Sequence, residues 1–310
     1  MTGARLAAPF RPGPVRVRVP ATSANLGPGF DSFGLALALH NEVTVRVTGH
    51  GLHVDVTGEG SAEVPRDERN LVVRSMRAAF ERLGGQPPGL EVSCTNRIPH
   101  GRGLGSSAAA IVAGVVAARE LVIGGTGELP DDAALELAAQ LEGHPDNVAA
   151  CLLGGLTIAW RDTSGGVRAL RLEADPRIRA VLFLSEQAAA TADTRRTLPE
   201  QVPHQAAARN VAYGALLIAA LTRRPDLLLD ATRDELHQPY RAAVMPASAA
   251  LIDRLRSEGI AAVLSGAGPT VLALADAAEA PRVAALEVPG FRPMLLAVDT
   301  RGTGVELLVE

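Results

Sequence analysis

Alternation of apolar and polar residues is the first regular pattern along the chain. In the first hundred residues it appears at 15–19, 42–48, 52–57 and 90–95. Such alternation predicts strands with one buried face, because successive strand side chains point to opposite sides of a sheet. The segment 22–31 is rich in Ser, Asn, Gly and Pro, so it is predicted as a loop.

A helical period follows Asn70. Apolar residues recur there at Val72, Met76, Phe80 and Leu83, on one face of a helix. Asn70 is a favourable N-cap, because its side-chain oxygen can accept from the free amides of the first turn. We therefore predict an amphipathic helix that begins just after Asn70.

The segment 98–121 shows neither simple alternation nor an amphipathic period. Residues 98–107 read Ile-Pro-His-Gly-Arg-Gly-Leu-Gly-Ser-Ser, and residues 108–121 are apolar on nearly every side of a helix. A helix that is apolar all round is usually buried. The sequence thus predicts a glycine loop that runs into a buried helix.

The rest of the chain mixes both patterns. Helices are predicted at 131–143, 205–221, 226–237 and 247–258, with Gly259 as a C-terminal cap. Strands are predicted at 156–160, 167–172, 179–184, 261–265 and 270–275.

Length and charge narrow the class of protein. A chain of 310 residues exceeds one core of ordinary size, so two fused domains are expected. We place them at 1–175 and 176–310, although no linker marks the boundary. The net charge is -4 and the arginines are scattered. No nucleic-acid partner is expected, because such proteins usually carry a basic patch.

The chain contains no lysine, since all 30 basic residues are arginines. Genomic base composition is the simplest origin of this bias. Whatever the origin, chemistry that needs a lysine amine is excluded. The excluded groups are a Walker A lysine, a Schiff-base lysine and the strand lysine of protein kinases.

Cysteines and apolar runs bear on the cellular compartment. Cys94 and Cys151 have no metal-ligand spacing and are predicted to be buried thiols. The longest uninterrupted apolar stretch, 108–118, is too short to cross a bilayer. The first residues lack the apolar run of a signal peptide. We therefore expect a soluble, cytoplasmic protein with no membrane partner.

The glycine loop is suited to binding an anion. Glycines let the main chain approach a ligand, and the first amides of a helix have no partner within it. Ser106 and Ser107 are placed to cap the helix or to contact a phosphate or a metal ion. The alternative is a tight strand-to-helix turn with a serine cap. The loop does not match the dinucleotide-binding fingerprint G-x-G-x-x-G, because Ser106 stands at the third glycine position. It does not match the Walker A pattern either, because the chain has no lysine.

Three segments carry a family resemblance. Pro99 together with the run 103–109 resembles the ATP-binding motif of the GHMP kinases. The segments 19–31 and 263–270 resemble the N-terminal motif and the C-terminal glycine motif of that family. The resemblance implies a two-domain α+β fold. The N-terminal half would resemble ribosomal protein S5 domain 2, and the C-terminal half would be a ferredoxin-like α/β sandwich.

Further segments are similar to the homoserine kinases within the GHMP family. They are Ala-Thr-Ser-Ala-Asn-Leu-Gly-Pro-Gly-Phe-Asp at 21–31, Glu-Gly-His-Pro-Asp-Asn-Val at 142–148, and the stretches 191–199 and 237–241. The resemblance implies ATP-dependent phosphorylation of L-homoserine, in threonine biosynthesis, by a homodimer. Pantoate, shikimate or mevalonate kinases, mevalonate diphosphate decarboxylase and a non-catalytic nucleotide-binding regulator remain alternatives.

The resemblance also implies residue roles. ATP would be bound by Pro99, His100, Gly101, Arg102, Gly103, Leu104, Gly105, Ser106, Ser107, Ala108 and Ala109. Mg²⁺ would be held by Ser107 and Glu142. The substrate would be bound by Asn25, Asp31, Asn147, Thr191, Arg195 and Arg241, and catalysis would involve Asn147, Asp146 and Arg195.

The residue types suit an amino-acid substrate. A carboxylate is bound well by the two parallel hydrogen bonds of a guanidinium, which Arg195 and Arg241 can supply. An ammonium group is bound by carboxylate and amide oxygens, which Asp31 and Asn25 can supply. Whether Asp146 acts as a base, or no residue does, is left open by the sequence.

Overall fold

The computed structural model describes residues 9–186 and 195–309. Most of the strands in the first part of the chain form one seven-stranded sheet, ordered β11-β1-β2-β4-β3, with β5 and β6 attached beside β2. Its members are β1 (Val15–Ala24), β2 (Phe33–Thr48), β3 (Gly51–Gly58), β4 (Gly89–Asn96), β5 (Leu156–Arg161), β6 (Val167–Leu172) and β11 (Gly304–Leu307). All four strands expected before residue 96 are confirmed.

The first strand is longer than its alternation indicated. Val15, Val17 and Val19 are buried while Arg18 is exposed, and this alternation was the signal in the sequence. The strand then continues through Ala24, so the loop expected from residue 22 begins too early. The missed residues are buried on both faces of the strand. A strand with no solvent-exposed face shows no alternation of apolar and polar residues.

Helices cover this sheet. They are α1 (Leu71–Arg82), α2 (Ser106–Leu121), α3 (Gly125–Glu128), α4 (Asp131–Glu142) and α5 (Asp146–Leu153). The side chain of Asn70 accepts from the amides of Val72 and Val73, which confirms the predicted cap. Helix α2 is buried along most of its length, as its apolar composition predicted. Cys94 and Cys151 are buried free thiols, also as predicted.

A second sheet lies in the later part of the chain. Its four antiparallel strands follow the order β10-β7-β9-β8, with β7 (Ile178–Ser185), β8 (Ala261–Leu264), β9 (Val271–Asp276) and β10 (Phe291–Ala297). The helices of this part are α6 (His204–Thr222), a 3₁₀ turn at Pro225–Leu227, α7 (Leu228–Ala231), α8 (Gln238–Arg241), α9 (Pro246–Ser257) and α10 (Ala280–Ala284).

The single helix predicted at 226–237 is wrong. Helix α7 ends at Ala231, and a new helix begins at Gln238. The carboxylate of Asp234 accepts from the amides of His237 and Gln238, so it caps the second helix.

The chain end returns to the first sheet. Strand β11 pairs with β1, and Asp299 accepts a hydrogen bond from His40 at 2.7 Å. Neither β10 nor β11 was predicted. The proposed boundary near residue 175 stays a prediction. Within residues 9–186 and 195–309, no helix is both long and apolar enough to span a bilayer.

Candidate functional site

A cavity of about 580 Å³ opens where the three motif segments meet. Ser265 contacts the hydroxyl of Ser23 at 2.9 Å and the carbonyl oxygen of Gly103 at 2.7 Å. The side-chain amide of Asn25 donates to the carbonyl oxygen of Gly266 at 2.9 Å. These contacts join segments that lie more than 150 residues apart in the chain.

The glycine loop forms one wall of the cavity. Gly103 and Gly105 have φ values of 72° and 67°, a region that favours glycine. A Cβ on Gly103 would lie 2.1 Å from the carbonyl oxygen of Ser265, and one on Gly105 would lie 1.9 Å from the hydroxyl of Thr22. Glycine is required at both positions because of the backbone angle and the close approach of neighbouring segments.

Helix α2 begins at Ser106, two residues before the predicted start at residue 108. No side chain of the described residues caps its N-terminus, so the serine-cap alternative is not what the structure shows. The first-turn amides therefore keep their capacity to donate to an anion. Ser106 and Ser107 line the cavity at this point.

Ser107 and Glu142 form an oxygen pair beside the helix start. The Ser107 hydroxyl donates to Oε1 of Glu142 at 2.6 Å. Burial raises the pKa of the Glu142 carboxyl, although the hydrogen bond from Ser107 opposes this shift. In the described chain, the basic side chain near Glu142 is the ring of His144, at 4.0 Å. A buried carboxylate with so little positive charge nearby suits a divalent cation.

The donor set also fits magnesium. Mg²⁺ prefers oxygen ligands and is usually held by one or two protein groups plus phosphates and waters. Among residues 9–186 and 195–309, no group of three or more His, Cys, Asp or Glu side chains forms a dedicated metal cage. A hydroxyl and one carboxylate beside a phosphate-binding loop match the magnesium pattern.

Asn147 and Asp146 lie at the start of α5 and are held by several partners. The Thr22 hydroxyl donates to Oδ1 of Asn147 at 2.8 Å. Oδ1 of Asp146 accepts from the ring of His144 at 2.7 Å and from the amide of Asn147 at 2.8 Å. Because Thr22 occupies Oδ1 of Asn147, the NH₂ group is the donor of this side chain, and one of its hydrogens makes a long bond of 3.5 Å to Oδ1 of Asp146.

His144 joins the carboxylates on either side of it. Burial alone would lower the pKa of the His144 ring, but the hydrogen bond and charge of Asp146, with the charge of Glu142, raise it. The ring thus lies between the oxygen pair and Asp146, within reach of both carboxylates. His144 was not predicted as a site residue, because an isolated histidine in a sequence is more often structural.

Two arginines, Arg195 and Arg241, also line the cavity. Arg195 makes two parallel hydrogen bonds to the carboxylate of Asp31, at 2.9 and 2.8 Å. Arg241 is only 2% exposed, and its Nε has no hydrogen-bond partner. It forms no ion pair with a carboxylate of the described residues. Burial lowers the pKa of Arg241, and the charge of Arg195 lowers it further.

Most of the expected site residues line this one cavity. Ala108 and Ala109 do not line it, since both are fully buried beneath the loop. Asn25 lines it, but backbone groups occupy both ends of its amide, because its Oδ1 accepts from the amide of Asp31. Thr191 lies outside the described residues.

One wall of the cavity was missed by the sequence reasoning. It is formed by residues of β2, of the region before α1, of the first turn of α1 and of β4, namely Asn41, Val64, Pro65, Arg69, Asn70, Leu71, Val72, Cys94 and Asn96. Their local patterns indicate only caps, strands and helix faces. Their position on the cavity arises from packing between separate segments.

Comparisons with known proteins agree with this geometry. Residues 70–155 match the family GHMP kinases N terminal domain, and residues 216–285 match GHMP kinases C terminal. A homoserine kinase of Streptomyces avermitilis is 60% identical over 296 residues, covering 96% of this chain and 97% of the relative. A homoserine kinase of Mycobacterium tuberculosis is 50% identical, covering 85% of this chain and 84% of the relative.

Solved structures show the same architecture. The crystal structure of homoserine kinase from Cytophaga hutchinsonii superposes with a TM-score of 0.82 at 28% identity, covering 97% of this chain and 100% of that one. Mevalonate diphosphate decarboxylase from Staphylococcus aureus gives 0.70 at 15% identity, with 95% and 98% covered, which shows the fold alone. The expected two-domain α+β fold is confirmed.

Proposed function

The chain belongs to the GHMP kinase family, within it to the homoserine kinases, and we propose from this that its cavity phosphorylates L-homoserine. The reaction forms a bond between the side-chain hydroxyl oxygen and the γ-phosphorus of ATP, and breaks the bond to the bridging oxygen of ADP. The product is O-phospho-L-homoserine, an intermediate of threonine biosynthesis.

A single observation carries this proposal. The uncapped start of α2 and the Arg195–Arg241 pair line the same cavity. The first feature suits a polyphosphate and the second suits a carboxylate. A substrate with a carboxylate and a hydroxyl can therefore contact both features, as homoserine would.

ATP and Mg²⁺ have matching residues on the loop side. The helix start of α2 would contact the phosphates, and the apolar side chains of Val64, Leu71 and Val72 would contact the adenine ring. Ser107 and Glu142 would hold Mg²⁺. When bound, the metal neutralises charge on the phosphate oxygens.

The amino-acid end would be held by charge. Arg241 would donate to the substrate carboxylate, since its buried Nε has no protein partner. The carboxylate of Asp31 would face the substrate ammonium group while remaining paired with Arg195. Bidentate pairing of this kind fixes orientation as well as affinity.

We propose that the proton of the substrate hydroxyl passes to an oxygen of the transferred phosphoryl group, and not to a protein side chain. The Asn147 amide would donate to the substrate oxygen, since Thr22 already occupies its acceptor. Oδ1 of Asp146 already accepts from the ring of His144, from the backbone amide of Asn147 and, at a longer distance of 3.5 Å, from the side chain of Asn147. Both features favour orientation of the alcohol over removal of its proton. A loose phosphoryl-transfer transition state has little need of a strong base.

The direct test is turnover by the purified protein. ADP release with ATP and Mg²⁺ would be measured for L-homoserine, pantoate, shikimate and mevalonate, with phosphorus NMR identifying the product. We expect O-phospho-L-homoserine to form with the highest kcat/KM. Faster turnover of another alcohol would replace homoserine as substrate. ATP binding without turnover of any alcohol would favour the non-catalytic regulator.

Assembly and location are finer points of the same proposal. We expect a homodimer in the cytoplasm, where ATP and free amino acids are available. Analytical ultracentrifugation of the full chain at micromolar concentration tests the homodimer. A single species at 32.1 kDa would contradict it.

A further inference from the structure

A fully buried histidine lies against the arginine pair. The side chain of His237 is 0% exposed. Its Nε2 is 2.9 Å from the carbonyl oxygen of Gly27, and its Nδ1 is 3.0 Å from NH1 of Arg241. A carbonyl only accepts and a guanidinium only donates. The ring therefore carries its proton on Nε2 and presents a lone pair to Arg241.

An aromatic ring completes this arrangement. The ring of Phe30 stacks on His237, with centroids 5.1 Å apart and planes inclined by 23°. The guanidinium carbons of Arg195 and Arg241 each lie 5.7 Å from the Phe30 centroid. This distance is within the range of cation–π attraction. One ring thus contacts both cations and the histidine.

The two arginines differ in how they are held. Arg195 is oriented by its two hydrogen bonds to Asp31. Arg241 has no carboxylate partner in the described chain. Its protein contacts are the lone pair of His237, the carbonyl oxygen of Gly266 at 3.3 Å and the face of Phe30. These neutral groups fix its direction and leave its Nε unpartnered. The carboxylates of Asp31, Asp234 and Asp146 offset its charge from a greater distance, without forming an ion pair with it.

We infer that Phe30 and His237 are positioning residues, which hold the Arg241 guanidinium in the orientation that receives the substrate carboxylate. The inference rests on the proposed function, because it takes an amino-acid substrate as given. A neutral acceptor suits this task better than an acidic one. A carboxylate in place of His237 would pair with Arg241 and weaken its attraction for the substrate.

The inference predicts a separation of KM from kcat. Phe30→Leu removes the π face while keeping an apolar side chain, so the KM for homoserine should rise about tenfold. The KM for ATP and kcat should stay within about twofold, because the phosphate end is untouched. Phe30→Tyr, which keeps the aromatic face, should restore a KM near that of the wild type.

A ligand that cannot react separates positioning from chemistry. L-2-Aminobutyrate carries the carboxylate and ammonium groups of homoserine but no hydroxyl. Its competitive inhibition constant should rise in Phe30→Leu by the same factor as the KM for homoserine. His237→Gln provides a second variant, for which we expect the same rise in both constants.

Phe291→Leu is the matched control, since this ring lies on β10 away from the cavity. Thermal unfolding of each variant checks that it is folded. A folded Phe30→Leu variant with unchanged KM and inhibition constant would overturn the inference, and so would a fall in kcat alone. Failure of the wild type to phosphorylate homoserine would instead overturn the proposed function, before any variant is compared.

Discussion

At the scale of single residues, Glu142 is a buried carboxylate whose anionic form a bound cation would stabilise. Its side chain is 8% exposed, and in the described part of the chain it forms no ion pair with an arginine. Burial raises the pKa of this carboxyl, so the anion is poorly compensated. A bound divalent ion would relieve that cost.

Replacement of Glu142 by Gln tests this role. We expect the Mg²⁺ concentration for half-maximal turnover to rise by about tenfold or more, because a charged ligand becomes neutral. This concentration is measured by titrating Mg²⁺ in steady-state turnover assays. Asp132→Asn is the control, since its side chain on the same helix is 86% exposed. An unchanged magnesium requirement in Glu142→Gln would remove Glu142 from the metal site.

Asp146 allows the question of a base to be answered. Asp146→Asn keeps an acceptor for His144 and for the amide of Asn147, but it cannot take up the hydroxyl proton. We expect kcat to fall by less than about tenfold. A general base usually contributes about 10²-fold or more. A loss of that size in a variant with wild-type thermal stability would identify Asp146 as the base.

At the scale of elements, the glycine loop and α2 act as one unit. The loop holds positive φ angles at Gly101, Gly103 and Gly105, and the helix that follows is buried. Both features were predictable, because glycine content and all-round apolarity are local properties of the sequence. The helix start at Ser106 was predicted two residues late, because the two serines at its start do not belong to the apolar run.

Gly105→Ala tests how tightly the loop is packed. The new Cβ would meet the Thr22 hydroxyl at 1.9 Å and disturb its bond to Asn147. We expect kcat/KM for ATP to fall by about tenfold or more, because Asn147 loses its orientation. Steady-state kinetics with varied ATP give this value.

Gly124→Ala is the matched control for this change. Gly124 has a similar positive φ of 83°, but open space surrounds its Cβ position. Both variants carry the cost of a left-handed alanine, about 1–2 kcal/mol. Only Gly105→Ala should lose catalytic efficiency. Equal kinetic losses in the two variants would show that the backbone angle, and not the contact with Thr22, is responsible.

Element boundaries went wrong where packing or side-chain contacts override a local pattern. The helix expected at 226–237 is interrupted because Asp234 caps a new helix at Gln238. Strand β1 continues past residue 22 because its last residues are buried on both faces. Strands β10 and β11 gave no clear alternation. The break at Asp234 is a local side-chain contact that the apolar period does not reveal, whereas the extent of β1 depends on neighbours that are distant in the sequence.

At the scale of the whole molecule, the chain end ties its two sheets together. After β10 in the second sheet, Asp299 pairs with His40 of β2, and both side chains are about one tenth exposed. Asp299 also accepts from the amides of Arg301 and Gly302. Burial would raise the pKa of Asp299, but His40 and these amides outweigh it, so the pKa is lowered.

Asp299→Asn should therefore destabilise the protein in a pH-dependent way. We expect the free energy of unfolding to fall by about 1–3 kcal/mol at pH 7, because a charged hydrogen bond is lost. A lowered carboxyl pKa gives stability that is present above the unfolded value of 3.8 and is lost as pH falls through the lower folded value. The difference from the wild type should thus shrink below about pH 4.

Denaturant unfolding at pH 7 and pH 3.5 measures both effects. Asp226→Asn is the control, because its pair with Arg224 is exposed on both sides. That variant should change stability much less. A variant Asp299→Asn as stable as the wild type at pH 7 would show that β11 and the surrounding packing hold the chain end without this ion pair.

The sequence alone determined the features whose chemistry lies within a short stretch. The glycine loop, the Asn70 cap, the buried α2 helix and the family motifs are all of this kind, because spacing and local composition specify them. The absence of lysine also excluded whole classes of mechanism, since a residue type missing from the composition is missing from every site.

Only the tertiary structure decided which polar groups meet. Thr22 and Asn147 lie 125 residues apart, and Asp31 and Arg195 lie 164 apart. The 237–241 motif singles out Arg241 among 30 arginines, but only the structure shows its burial and its unpartnered Nε. Burial, orientation and unpartnered polar atoms arise from packing between distant segments, and these properties are what turn suitable residues into a site.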